Sequence, residues 1–223
     1  MKFKLMQLAA VTALSILAFS CKGEKKNETT AKEAEEVKEA PAVAVTYTVD
    51  PAASTIEWTG SKPTGKHMGT IALSNGTLKV QENKVLGGSF AIDMTTITVT
   101  DLEGDEKAGL EAHLKGEGEG KEDHFFNVAK FKDGAFEITA VNEKDGKTVI
   151  EGNLTLKGIK KNISFPATIS SNDSETTITS DVFTINRTEW GVNYGSKSVF
   201  ENLGDKFIND DIEIKVSLKA KKA

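Results

Sequence analysis

Three histidines, His67, His113 and His124, are the residues in this chain best suited to acid–base or metal chemistry. A zinc site needs three or four converging ligands, commonly at short spacings such as i, i+4. His113 and His124 lie on either side of a glycine-rich break, and the chain has one cysteine. They are expected to cap helices or to sit at a rim, and no metal or cofactor is expected. Asp101, Glu103 and Asp105 imitate the first ligands of a calcium loop. Glu106 then falls where that loop needs glycine, and Ala112 where it needs a bidentate glutamate. Gly116 to Gly120 imitates a phosphate cradle. Its two glutamates, with Glu122 and Asp123 close by, would repel phosphate, and no strand leads into it. There is no Gly-x-Ser-x-Gly elbow. No catalytic residue is expected.

Cys21 has a different chemistry. It follows Lys2 and Lys4, then an uncharged, mostly apolar run from Leu5 to Phe19, then Ser20. That run is too short for a membrane span and the right length for a secretory signal core. Leu17-Ala18-Phe19-Ser20-Cys21 resembles the lipobox of a bacterial lipoprotein. The resemblance implies cleavage of residues 1–20 and acylation of Cys21, with two or more chains needed for a firm hold. With its lone cysteine used for lipid, the exported chain is left without disulfides.

Residues 21–45 read as a disordered charged tether from Cys21. The stretch is polar, carries both signs of charge, and offers almost nothing to bury. As a coil it would span roughly 30 Å. The 46–223 segment is long enough for one core held by packing alone. A net charge of −5 and a pI near 5.4 argue against nucleic acid, which calls for a basic stripe.

The elements that must position any site are strands. Residues 55–59, 89–94, 135–139, 149–156, 162–167 and 211–219 alternate apolar with polar, so each has one dry and one wet face. Turn residues separate the runs at 74–76, 82–84, 144–146 and 171–173. Residues 105–114 suit a short helix, and 123–129 a second, with Asp123 near its N-terminus. One or two short helices cannot cover a sheet, so the sheet must close on itself. The expected fold is mainly β: an up-and-down antiparallel β-barrel of about eight strands, wide enough inside for one small ligand. Trp58, Phe90, Ile92, Phe136, Ile138, Leu154, Phe165, Phe183 and Ile214 are expected inside. Arg187, Asn193 and Tyr194 are the expected polar groups near a mouth, with His67 a fourth.

Several boxes then resemble the YceI-like family. They are Ser89-Phe-Ala-Ile-Asp-Met-Thr-Thr-Ile, His113-Leu114, and Asp123-His-Phe-Phe-Asn-Val-Ala-Lys-Phe. Gly152-Asn-Leu-Thr-Leu-Lys-Gly-Ile-Lys-Lys-Asn-Ile-Ser-Phe-Pro, Arg187-Thr-Glu-Trp-Gly and the closing Phe207-Ile-Asn-Asp-Asp-Ile-Glu-Ile follow in order. The resemblance implies a lipocalin-like barrel with a long apolar cavity, and binding of polyisoprenoid or fatty-acyl lipids in the cell envelope. The chain departs from the pattern twice. Leu110 and Glu111 stand where the family often has an arginine–aspartate pair, and Gly116 to Gly120 is inserted.

The combined expectation is non-covalent carriage or storage of an apolar lipid by a non-enzymatic envelope protein. Its partners are that lipid and, through the acylated Cys21, the membrane. It would sit on the periplasmic face or the outer surface of the outer membrane. Two rivals remain at this stage. One is a structural or adhesive β-domain with a filled core. The other is an enzyme on an envelope lipid, with His113 or His124 as a base.

Overall fold

A computed structural model describes residues 27–223; the expected signal segment and Cys21 lie outside them. The strands are β1 (Lys32–Glu33), β2 (Val45–Val49), β3 (Thr55–Lys62), β4 (Gly65–Gln81) and β5 (Lys84–Val99), followed by β6 (Asp133–Lys144) and β7 (Lys147–Leu156). β8 (Ile159–Ser171), β9 (Glu175–Ser180), β10 (Phe183–Asn186) and β11 (Asp211–Lys222) complete the set. A helix, α1 (Gly104–Lys115), lies between β5 and β6. Among the described residues no helix is long and apolar enough to cross a membrane.

Pairing runs antiparallel from β4 through β5, β6, β7, β8 and β9 to β11. β2 and β3 both bridge β11 back to β4, so the ring closes as a barrel. Two of its eight positions are broken strands. β2 and β3 share one, interrupted at Pro51–Ala53, where Ser54 Oγ donates to Asp50 O and accepts from Lys219 N. β9 and β10 share the other, both lying along β11.

The expected strands all form, and their dry faces point inward. The expected turn at 74–76 does not form. Those residues lie within the 17-residue β4, beside a register shift between Leu73 and Asn75. A bulge lets a long strand bend around a barrel without ending it. Gly76 packs where a Cβ would come within 2.7 Å of the Phe90 Cβ, so the glycine serves a close approach. The expected second helix is also absent. Asp123 Oδ1 accepts from Asn127 Nδ2, and irregular turns direct Phe125 and Phe126 inward.

The largest correction concerns the tether. Residues 27–35 are not free; they bind the barrel wall. Asn27 Nδ2 donates to Val182 O, and Thr29 N to Thr184 O. β1 pairs antiparallel with β8, at Lys32–Asn162 and Glu33–Lys161. The buried Asn153 amide then brackets Glu35, accepting from its N–H and donating to its C=O. Composition misleads here because the segment binds through its backbone, which a polar sequence offers as readily as an apolar one.

Candidate functional site

The inside of the barrel is divided. Val80, Ile138, Ile150, Ile178 and Leu218 are buried in a packed half near the β6–β7 turn. The half beneath α1 is hollow, with a cavity of about 310 Å³ lined almost wholly by apolar side chains. That volume lies at the lower end of small-ligand sites, about 300–1,000 Å³. Two glycines help shape it. A Cβ on Gly69 would fall 2.6 Å from the Trp58 indole, and one on Gly152 2.3 Å from the Phe136 ring. Both aromatics lie flat on a neighbouring strand because those strands lack a side chain there.

Eight of the nine expected interior residues line the cavity: Trp58, Phe90, Ile92, Phe136, Leu154, Phe165, Phe183 and Ile214. Ile138 is buried but belongs to the packed half, two positions past Phe136 on the same face of β6. Ile56, Met94, Ile163 and Val216 also line the cavity. Each continues the two-residue period of a recognised strand, and that signal could have found them. Leu110 and Leu114, spaced i, i+4 on α1, close the top. Trp58 Nε1 is buried with no hydrogen-bond partner among the described residues.

Of the expected polar groups, Arg187 and His67 line the cavity, whereas Asn193 and Tyr194 do not. Arg187 is 2 % exposed. Its guanidinium donates to the carbonyls of Val192, Ile208 and Asn209, and lies 3.7 Å from Asp210 Oδ1. Burial pulls its pKa down, and the charge of Asp210 opposes this. It therefore holds the 192–210 loop in place rather than presenting a free cation to a ligand. His67 Nδ1 contacts Asp101 Oδ2 at 2.9 Å beside the opening near Lys62 and Gly65.

Tyr194 belongs to a ring cluster over the helix end of the cavity. Its ring stacks on His124 at 4.2 Å and meets His113 edge-on at 4.9 Å. His113 Nε2 lies 2.8 Å from His124 Nδ1, and His113 packs edge-on against Phe125 at 5.1 Å. The two histidines thus satisfy one another at the rim. No group of three or more His, Cys, Asp or Glu side chains able to hold a metal occurs among the described residues.

A pH dependence is expected from His113. The His113 pKa is held below its ordinary value, by burial first and then by the charges of His124 and Lys121. As pH falls through about 6.5 the unfolded chain takes up a proton before the folded one. The stability that neutral His113 contributes is therefore full above that pH and lost below it. Thermal melts from pH 7.5 to pH 5 should show a decline that His113→Phe reduces. An unchanged slope in the variant would remove His113 from this role.

A family model for the YceI-like domain matches residues 47–220. The chain belongs to the YceI-like family. Its fold is similar to that of Burkholderia cenocepacia BcnA, at 21 % identity and a TM-score of 0.60, over 77 % of this chain and 99 % of BcnA. It is also similar to a polyisoprenoid binding domain from Saccharophagus degradans implicated in plant cell wall breakdown. There the identity is 11 % and the TM-score 0.56, over 80 % of this chain and 99 % of that domain. No curated protein sequence matches the chain. The two departures from the YceI-like pattern have structural roles. Leu110 lines the cavity, while Glu111 Oε1 accepts from Val99 N at 2.8 Å and pins α1 to the end of β5. Of the inserted residues, Gly116 is buried as the cap of α1, 117–120 are exposed, and none lines the cavity.

Proposed function

We propose that this YceI-like protein binds one apolar lipid chain, isoprenoid or fatty acyl, non-covalently in the hollow half of its barrel. The observation that carries this is the apolar cavity itself. Each methylene it takes from water contributes about 0.8 kcal/mol, so affinity follows from apolar area. The shared fold with a polyisoprenoid binding domain supports the same ligand class. The filled-core reading describes only the packed half of the barrel. A catalytic reading has less support, because His113 and His124 direct their facing nitrogens at each other.

The proposal includes an envelope anchor at Cys21, from the lipobox-like sequence before it. Five residues, 22–26, separate Cys21 from Asn27 on the barrel wall. Six peptide links reach roughly 20 Å at full stretch, so the barrel would sit close to the bilayer.

The test is a mass spectrum of the organic extract of the purified protein, with tryptophan fluorescence, to which the cavity-lining Trp58 contributes, followed as a prenol or fatty acid is added. A bound lipid and a change in that fluorescence are expected. An empty extract with no response to either chain would reject lipid binding. For the anchor, Cys21→Ser should abolish acylation and detergent partitioning; unaltered partitioning with no acyl mass on wild-type Cys21 rejects it.

A further inference from the structure

β8 and β9 pair from Ser171–Thr176 up to Ala167–Ser180, and Asp181 N still reaches Pro166 O. Beyond that point the first half of β8 and all of β10 diverge and share no pairing. The far end of the resulting wedge is closed by Trp190 Nε1 donating to Leu154 O and by Lys157 Nζ donating to Gly191 O. Between these ends the wedge is filled by residues 27–33. They run parallel to β10 at Glu28–Thr184 and antiparallel to β8 at Lys32–Asn162. The segment is a strap across a split in the barrel wall.

Its hold is almost entirely polar. Only Thr29 is buried and only Ala31 packs on the core; most of its other side chains face solvent. Its other contacts include backbone pairing, Asn27 Nδ2 to Val182 O, Ser164 N to Thr29 Oγ1, the Asn153 bracket and a Glu33–Lys161 ion pair whose glutamate is exposed. Few buried apolar contacts mark the low-stability end of a structure, and these hydrogen bonds are only partly shielded from water. Behind the strap lie cavity-lining residues of both flanking strands: Ile163 and Phe165 on β8, Phe183 and Ile185 on β10. Phe165 and Phe183 stack across the split at 4.4 Å and 7°.

We propose that residues 27–33 form a detachable stave whose release opens a lateral slot between β8 and β10, through which a lipid chain enters and leaves the cavity. The proposal rests on the cavity being the lipid site. A long chain then passes sideways, between two aromatic rings, with no need to disrupt the ring cluster at the helix end. The same segment leads back toward Cys21, so the slot lies at the point where the chain leaves the barrel.

Glu33 and Lys161 are register partners, the first exposed and the second half-buried, so Glu33→Cys with Lys161→Cys gives a disulfide that locks the strap. The pair is made in the full chain carrying Cys21→Ser, leaving no other thiol. Release of cis-parinaric acid, a fluorescent fatty acid, is timed in the oxidised and reduced forms. Oxidation is expected to slow release at least about tenfold, with the reduced form matching the Cys21→Ser parent. Equal rates in both forms overturn the slot and leave the opening beside Lys62 as the route. Hydrogen exchange on the parent protein, without lipid, gives a separate reading. The amides of Thr29, Ser164 and Thr184 should exchange at least about tenfold faster than those between β5 and β6. Exchange as slow as the core overturns the detachable strap even if no lipid binds, whereas fast exchange without probe binding faults the lipid site alone.

Discussion

Replacing Arg187 with alanine is expected to destabilise the domain by about 3–5 kcal/mol, the range for removing one member of a buried charge pair. The side chain closes the Arg187-Thr-Glu-Trp-Gly stretch onto the loop that follows it. Without it, the carbonyls of Val192, Ile208 and Asn209 lose their donor, and Asp210 keeps a buried oxygen with no counter-charge nearby. In a domain of this size the melting temperature should fall by roughly 10 °C. Arg187→Lys should recover only part of the loss, since an ammonium cannot serve three carbonyls from one planar fork. Denaturant melts of the three proteins check this. A loss under about 1 kcal/mol for alanine would show that the loop holds without the guanidinium.

A second result separates the hollow half of the barrel from the packed half. Ile92 and Ile138 are similarly buried, yet only Ile92 lines the cavity. Ile138→Lys places an ammonium in packed surroundings with no partner, and should unfold the domain at a cost of several kcal/mol. In Ile92→Lys the stem can lie along the cavity wall and its amine can meet water in the empty cavity. That variant should remain folded with a lowered melting temperature, and its organic extract should lose the lipid. Equal unfolding of the two variants would mean the cavity does not hold water. Retention of lipid by a folded Ile92→Lys would place the ligand elsewhere.

The strands were legible because alternation survives in single sequences: Ile212, Ile214, Val216 and Leu218 show the dry face of β11 without help from any other segment. Periodicity reports a face, however, and not what that face meets. Phe136 and Ile138 share a face of β6, but one borders a void and the other a packed core. That difference depends on which end α1 covers. The ring cluster was harder to read for another reason. His113, His124 and Tyr194 come from a helix end, a turn and a distant loop, and no spacing along the chain brings them together. Arg187 lines the cavity, but nothing in the sequence shows what it binds there. Its partners are main-chain carbonyls, which every residue carries. The strap was hidden most completely, because a highly charged segment gives no sign of the strands that will pair with it.

The strap also affects where this protein can be cut. The family model begins at residue 47, well after the last residue that fills the split between β8 and β10. A recombinant fragment trimmed to that boundary would have a full set of core side chains but two bare strand edges. Unpaired edges of this kind recruit strands from other copies. Such a fragment should therefore be more prone to self-association than the longer chain, and a tag fused directly at residue 47 would compete for the vacated groove. The working unit for expression, crystallisation or grafting begins at Asn27 or earlier.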